Sequence, residues 1–232
     1  MKLNSEMQTE KLMTPIAHAL HGQDLLWDDI NGMRQATRFA TDEIELARKA
    51  VLGLADASAL RKFGVKGANA AQWLQQQGLV IPEAANRWVV SAAGCLILRL
   101  GNTEFLIEDA AGTATESVCE RLSLAFSAQP GLYLVPHVEA AFVLSGTAVA
   151  QLFSEVCSID LTRVALGGKD VVMTQFAGVS VVLMHQDLEE ESLFRLWCDS
   201  SYGPYMWDVI AGIAHEHSGG PVGIGRYFSA YK

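Results

Sequence analysis

Apolar positions along the chain recur with two periods, about 3.6 residues and 2 residues, and the switches between them mark out the predicted elements. Ile44, Ala47 and Val51 share a helical face, with Thr41 placed to cap a helix over Asp42 to Leu52 and Glu45 spaced to pair with Lys49. A strand ending at Gly67 leads into a helix that Gly78 stops. Arg87 to Ser91, Cys95 to Leu100 and Glu104 to Glu108 read as strands, the last two joined by a Gly-Asn-Thr turn. Thr113 and Glu116 make a capping box ahead of a helix carrying Val118, Leu122, Ala125 and Phe126. The second half repeats the logic, with strands near 132–135 and 141–145 and a helix to about 157. Strands at Val171 to Phe176, Val179 to Met184 and Leu193 to Cys198 follow. Pro204 opens a last helix with Met206, Val209, Ile210 and Ile213 inward. Hairpins mixed with helices predict an α+β fold. Residues 1–40 read as a polar, irregular extension, and 41–232 as the folded domain.

One phrase occurs twice. Phe63-Gly64-Val65-Lys66-Gly67-Ala68-Asn69-Ala70-Ala71-Gln72-Trp73-Leu74 is echoed by Phe142-Val143-Leu144-Ser145-Gly146-Thr147-Ala148-Val149-Ala150-Gln151-Leu152-Phe153. Each copy is a strand, a glycine suited to a tight turn, and an amphipathic helix. Two copies are too few for a solenoid, so the phrase predicts two related halves, about 54–130 and 131–226, in one domain. A chance recurrence is the alternative, because Phe-x-apolar-x-Gly is a common phrase.

Composition narrows the functions. At 232 residues and 50% hydrophobic, the chain can bury a sizeable core. A formal charge of −9 speaks against nucleic acid or an anionic membrane as partner. No apolar run approaches the roughly 18 residues of a spanning helix, and the N-terminus is unlike a signal peptide, so the expected location is cytoplasmic. Cys95, Cys119, Cys157 and Cys198 lie far apart without C-x-x-C spacing and read as buried free thiols. His215-Glu216-His217 alternates around a helix end, and His18 and His21 lack a third ligand, so no metal site is expected. The glycines from Gly219 to Gly225 lack the Lys-Ser/Thr of a phosphate loop, and no flavin or NAD site is expected on this chain.

The run from Gly53 to Gly67, the Cys95 to Ile107 hairpin and Gly219-Gly220-Pro221-Val222-Gly223-Ile224-Gly225-Arg226 together resemble the glycine cleavage T-protein (aminomethyltransferase) superfamily. Thr14-Pro15-Ile16-Ala17-His18, Ser192 to Cys198 and Ser201 to Trp207 look closest to its sarcosine oxidase gamma subunit branch. The resemblance covers about 50–226 and implies a folate-binding fold of two related strand-helix halves, with tetrahydrofolate as the possible cofactor. Asp56 and Ser58 fall where that family lines its folate cavity, and the repeat relation places Tyr202 near them. Capping of a turn is the other reading of Asp56 and Ser58.

Departures from the family pattern matter as much. Where the transferases carry an acidic residue, this chain reads Ser91-Ala92-Ala93-Gly94-Cys95, which supplies no carboxylate for acid or base work. No catalytic residue is therefore expected on this chain. The family's glycine-rich "gly-tyr-thr-gly-glu" loop is replaced by an acidic run up to Glu191, read as a solvated hairpin tip or a docking surface. The chain stops just past Gly225, leaving nothing for the family's C-terminal barrel. Three functions remain open: a non-catalytic subunit of an N-methyl amino acid oxidase or dehydrogenase, a free-standing tetrahydrofolate-binding protein, and a scaffold with a decayed cavity. A mean hydropathy of +0.19 and the aromatic stretch from Trp197 to Trp207 suit hetero-oligomeric partners or self-association, unless those rings fill the domain's own core.

Overall fold

The computed structural model describes residues 12–109, 116–160, 168–188, 191–228 and 231. In chain order it contains β1 (Leu12–Met13), β2 (Leu26–Ile30), β3 (Met33–Arg38), α1 (Asp42–Leu52), β4 (Gly53–Asp56), β5 (Lys62–Lys66) and α2 (Ala70–Gln76). Next come β6 (Arg87–Val90), β7 (Leu96–Arg99), β8 (Glu104–Glu108), α3 (Val118–Ala125), β9 (Tyr133–Val135), β10 (Ala140–Ser145) and α4 (Val149–Val156). The last elements are β11 (Val171–Phe176), β12 (Val179–Leu188), β13 (Glu191–Cys198), α5 (Gly203–Glu216) and β14 (Gly220–Pro221).

Two sheets carry the fold, one ordered β6-β7-β8-β5-β9 and the other β11-β12-β13-β10-β4-β14. Side-chain alternation sorts their residues into three cores. Phe63, Val65, Phe105 and Ile107 point outward under α2 and α3, packing on Trp73, Leu74 and Leu122. Phe142, Leu144 and Leu196 point outward on the other sheet, under α4 and α5, against Leu152, Phe153, Met206 and Ile210. Leu96, Leu98 and Leu106 meet Ala141, Val143, Leu193 and Trp197 between the sheets. The result is a helix–sheet–sheet–helix stack, an α+β fold.

Both copies of the repeated phrase take the expected form. β5 runs through Gly67 (φ +121°) into α2, and β10 runs through Gly146 (φ +106°) into α4. The strands just before them are exchanged. β4 lies before β5 in sequence but pairs with β10, while β9 lies before β10 but pairs with β5.

Several expectations need correction. The stretch up to residue 40, read as irregular, holds the β2–β3 hairpin with β1 beside β3. Its turn is Asn31-Gly32, with φ +54° and +84°, the dipeptide that best suits two residues of positive φ. Ile16 and Leu20 from this stretch are buried in the core under α5. On α1, Ile44 and Ala47 face solvent, and the buried positions are Glu45 and Leu52. Glu45 is not paired with Lys49. It accepts hydrogen bonds from Phe39 N, Gly223 N and Arg226 Nε, while Lys49 pairs with Glu191. Thr41 stands at the N-cap without a side-chain bond. Thr113 lies outside the described residues, and α3 is capped by Ser117, whose Oγ accepts from Glu120 N at 2.9 Å. β12 continues to Leu188, beyond the expected end at Met184. On α5, Met206, Trp207, Ile210 and Ala214 are buried, with Val209 and Ile213 only half-buried.

Candidate functional site

The space between the sheets is apolar except at one end, where strand alternation turns several charged side chains inward. Lys62 opens β5 and stands opposite Glu108, the last residue of β8. Arg195 lies on the inward face of β13, between Leu193 and Trp197. Glu108 accepts a charge-assisted hydrogen bond from Arg195 and a 2.9 Å bond from Trp197 Nε1, and all three side chains are buried. The Arg195 guanidinium also sits 5.2 Å from the Trp197 ring and 5.4 Å from the Phe228 ring.

Lys62 has no carboxylate within ion-pair distance among the described residues. Its Nζ donates to two backbone carbonyls, Ser58 O at 3.0 Å and Leu60 O at 3.2 Å. Burial pushes the Lys62 ammonium below its ordinary pKa, against the opposing pull of Glu108, Glu139 and Asp56.

His137 completes the group. Its Nδ1 is hydrogen-bonded to Glu139 and its ring is held across Gly64, where a Cβ would overlap it. The side chain is only 5% exposed, yet His137 Nε2 and Glu139 Oε2 have no hydrogen-bond partner among the described residues. A buried polar atom left this way is costly unless a ligand or water meets it. His137 and Glu139 stand between two cavities. One, about 420 Å³, is bounded by Leu106, Trp197 and Cys198 with Thr174 and Gln175. The other, about 490 Å³, has Ser58, Arg61 and Lys62 in its wall and Leu12, Met13 and Val138 at its rim.

Of the residues expected from the sequence, Ser58 lines the larger cavity, although its Oγ accepts from Ala141 N at 3.0 Å. Tyr202 is half-exposed and ends a short turn whose Ser200 and Ser201 line that cavity. Asp56 is buried behind the wall, accepting from Thr14 Oγ1 at 2.5 Å and from Ser58 N at 2.9 Å. Burial pushes its carboxyl above the ordinary range, with the bonds from Ser58 and Thr14 opposing. The structure thus brings Ser58 and the Tyr202 turn to one cavity and gives Asp56 a turn-holding part.

Sequence reasoning missed Lys62, Glu108, His137, Glu139 and Arg195. Charged residues on strand faces that should be apolar were the available signal for Lys62, Glu108 and Arg195. His137 and Glu139 lie between strands, where no periodicity points to them. The Ser91–Cys95 turn is closed by a 3.0 Å contact between Ser91 Oγ and Cys95 Sγ, and burial pushes that thiol's pKa up. All four cysteines are free, and Cys198 is pushed up to about 12 by burial.

No family sequence profile and no curated protein matches this chain. Its fold is nevertheless that of the T-protein-like class. Among solved structures, it is similar to the glycine cleavage system aminomethyltransferase T of Bartonella henselae, with a TM-score of 0.68 and 15% identity over 95% of this chain. The match spans 62% of that protein's length. It is also similar to a chain of the heterotetrameric sarcosine oxidase of Corynebacterium sp. U-96, with a TM-score of 0.59 and 20% identity, covering 78% of this chain and 93% of that one. No helix among the described residues is long and apolar enough to cross a membrane.

Proposed function

We propose that this chain is a sarcosine oxidase gamma-like subunit, a T-protein-fold partner within a hetero-oligomeric cytoplasmic enzyme acting on N-methyl amino acids. The redox chemistry belongs to other chains. The observation that carries this reading is the Ser91–Cys95 turn. Where the resembling transferases carry an acid, this turn offers only a buried thiol bonded to a serine, with its pKa raised away from neutrality. The similarity to a chain of a heterotetrameric oxidase supports a role in company. The tryptophans of the 197–207 stretch are core rings, so its contribution to an interface narrows to the half-exposed Tyr202 and Tyr205.

Native purification from cells that make the oxidase subunits, with mass spectrometry and light scattering, tests the proposal. Stoichiometric oxidase chains are expected, and the isolated chain is expected to show no aminomethyl transfer with tetrahydrofolate. A strict monomer without a stoichiometric partner would refute it.

A second reading has its own support. The cavities of about 420 and 490 Å³ have room for a pterin-sized molecule, which favours a free-standing tetrahydrofolate-binding protein. Titration with tetrahydrofolate, compared between the wild type and Ser58→Ala or Tyr202→Ala, separates the two.

A further inference from the structure

Lys62 is bound in an unusual way for a lysine inside a protein. An ammonium has three N–H donors, and a buried one is ordinarily met by a carboxylate. Here the hydrogen bonds run to two neutral acceptors, the carbonyls of Ser58 and Leu60. Two of its N–H donors are held by these carbonyls, and the remaining position on the nitrogen has no protein partner among the described residues. The residue lines the 490 Å³ cavity, whose rim of Leu12, Met13 and Val138 is apolar and open to solvent. The charged groups around it are Glu108, Glu139, Asp56 and Arg195. Arg195 is already bonded to Glu108, and Asp56 is held by Thr14 and Ser58. His137, oriented by Glu139, lines the same cavity.

We propose that Lys62 is a nucleophilic amine that captures small aldehydes or ketones with an apolar body as a Schiff base in this cavity. The Nζ lone pair forms a C–N bond to the carbonyl carbon, and the C=O π pair moves onto oxygen, which takes up a proton that the nitrogen loses. The carbinolamine then expels its hydroxyl as water, with a proton supplied from the cavity, as the nitrogen lone pair closes the C=N bond. The second N–H proton leaves to restore the neutral imine. Hydrolysis runs the same steps backward, so capture is reversible. Burial lowers the pKa of this amine, which enlarges its unprotonated fraction and so its reactivity.

Reductive labelling tests this on the unmodified protein. With limiting butanal and sodium cyanoborohydride at pH 7, hydride reduces the imine carbon and leaves a butyl-lysine that peptide mass spectrometry locates. Lys62 is expected to label faster than the exposed Lys66, since a lowered pKa leaves more free amine at pH 7. Val138→Trp, which crowds the exposed rim, is expected to slow labelling at Lys62 and leave Lys66 unchanged. Equal or slower labelling at Lys62 in the wild type would overturn the proposal, as would insensitivity to Val138→Trp. Neither result depends on whether the oxidase partner is found.

Discussion

Glu108 and Arg195 are opposite charges sealed between two sheets, with side chains 1% and 4% exposed, and each is the other's compensation. Removing one strands the other in a region of low dielectric, which costs about 3–5 kcal/mol, whereas an apolar pair of similar volume is often tolerated. Arg195→Met alone is therefore expected to lower stability by about 3–5 kcal/mol in urea unfolding, and Glu108→Gln with Arg195→Met to recover much of that loss. Asp56 acts differently. Its folded carboxyl holds a proton to higher pH than the unfolded one, whose ordinary value is 3.8, so the native state binds more protons between the two. Its contribution is complete below that ordinary value and is lost as pH rises through the folded value. Asp56→Asn keeps an acceptor for Ser58 N and has no charge to desolvate. It is expected to be more stable than the wild type at neutral pH, with a flatter decline above about pH 4 in denaturant titrations across pH. The turn reading of Asp56 and Ser58, one of the two that the sequence left open, was available because that preference is local. Lys62, His137 and Arg195 converge only after residues from distant strands meet, so no single stretch announced them.

Among elements, the two strand–glycine–helix turns are places where a side chain cannot be accommodated. A Cβ at Gly146, at φ +106°, would collide with Val51 O and stand 2.5 Å from Val51 C, backbone atoms that cannot swing away. Gly78, at φ +80°, has nothing within 4 Å of its Cβ position. Gly146→Ala is therefore expected to cost about 3 kcal/mol or more, strain and overlap together, and Gly78→Ala about 1 kcal/mol from strain alone, read from urea midpoints. These turns were legible because glycine marks them in both copies. The inward face of α1 was not, because its buried positions are occupied by a carboxylate that hydrogen-bonds to two loops and by Leu52, while the periodic Ile44 and Ala47 stay outside. Ile44→Lys should accordingly change stability by no more than about 0.5 kcal/mol, whereas an inward Ile44 would have made it severe.

At the scale of the molecule, neither half owns a complete sheet, since β4 completes the sheet of the second repeat strand and β9 that of the first. Chains cut at Ser127 and made separately are expected to be unfolded by circular dichroism and to regain structure when mixed. The intact protein is expected to unfold in one transition seen alike by circular dichroism and by its five tryptophans. The fold class was readable from local periodicity, but the exchange was not, because pairing partners so far apart leave no mark on either segment.

The same exchange bears on how the chain is made. Leaving the ribosome, β4 must wait on the order of 90 further residues before Phe142 arrives opposite Asp56, about 4–18 s at 5–20 residues per second. Throughout that interval it is an unpaired strand with an apolar centre of Leu54 and Ala55. A charge at the strand's end discourages premature pairing with other chains. The aspartate whose desolvation weakens the finished protein at neutral pH is thus ionised, and protective, for as long as its partner strand has not been synthesised.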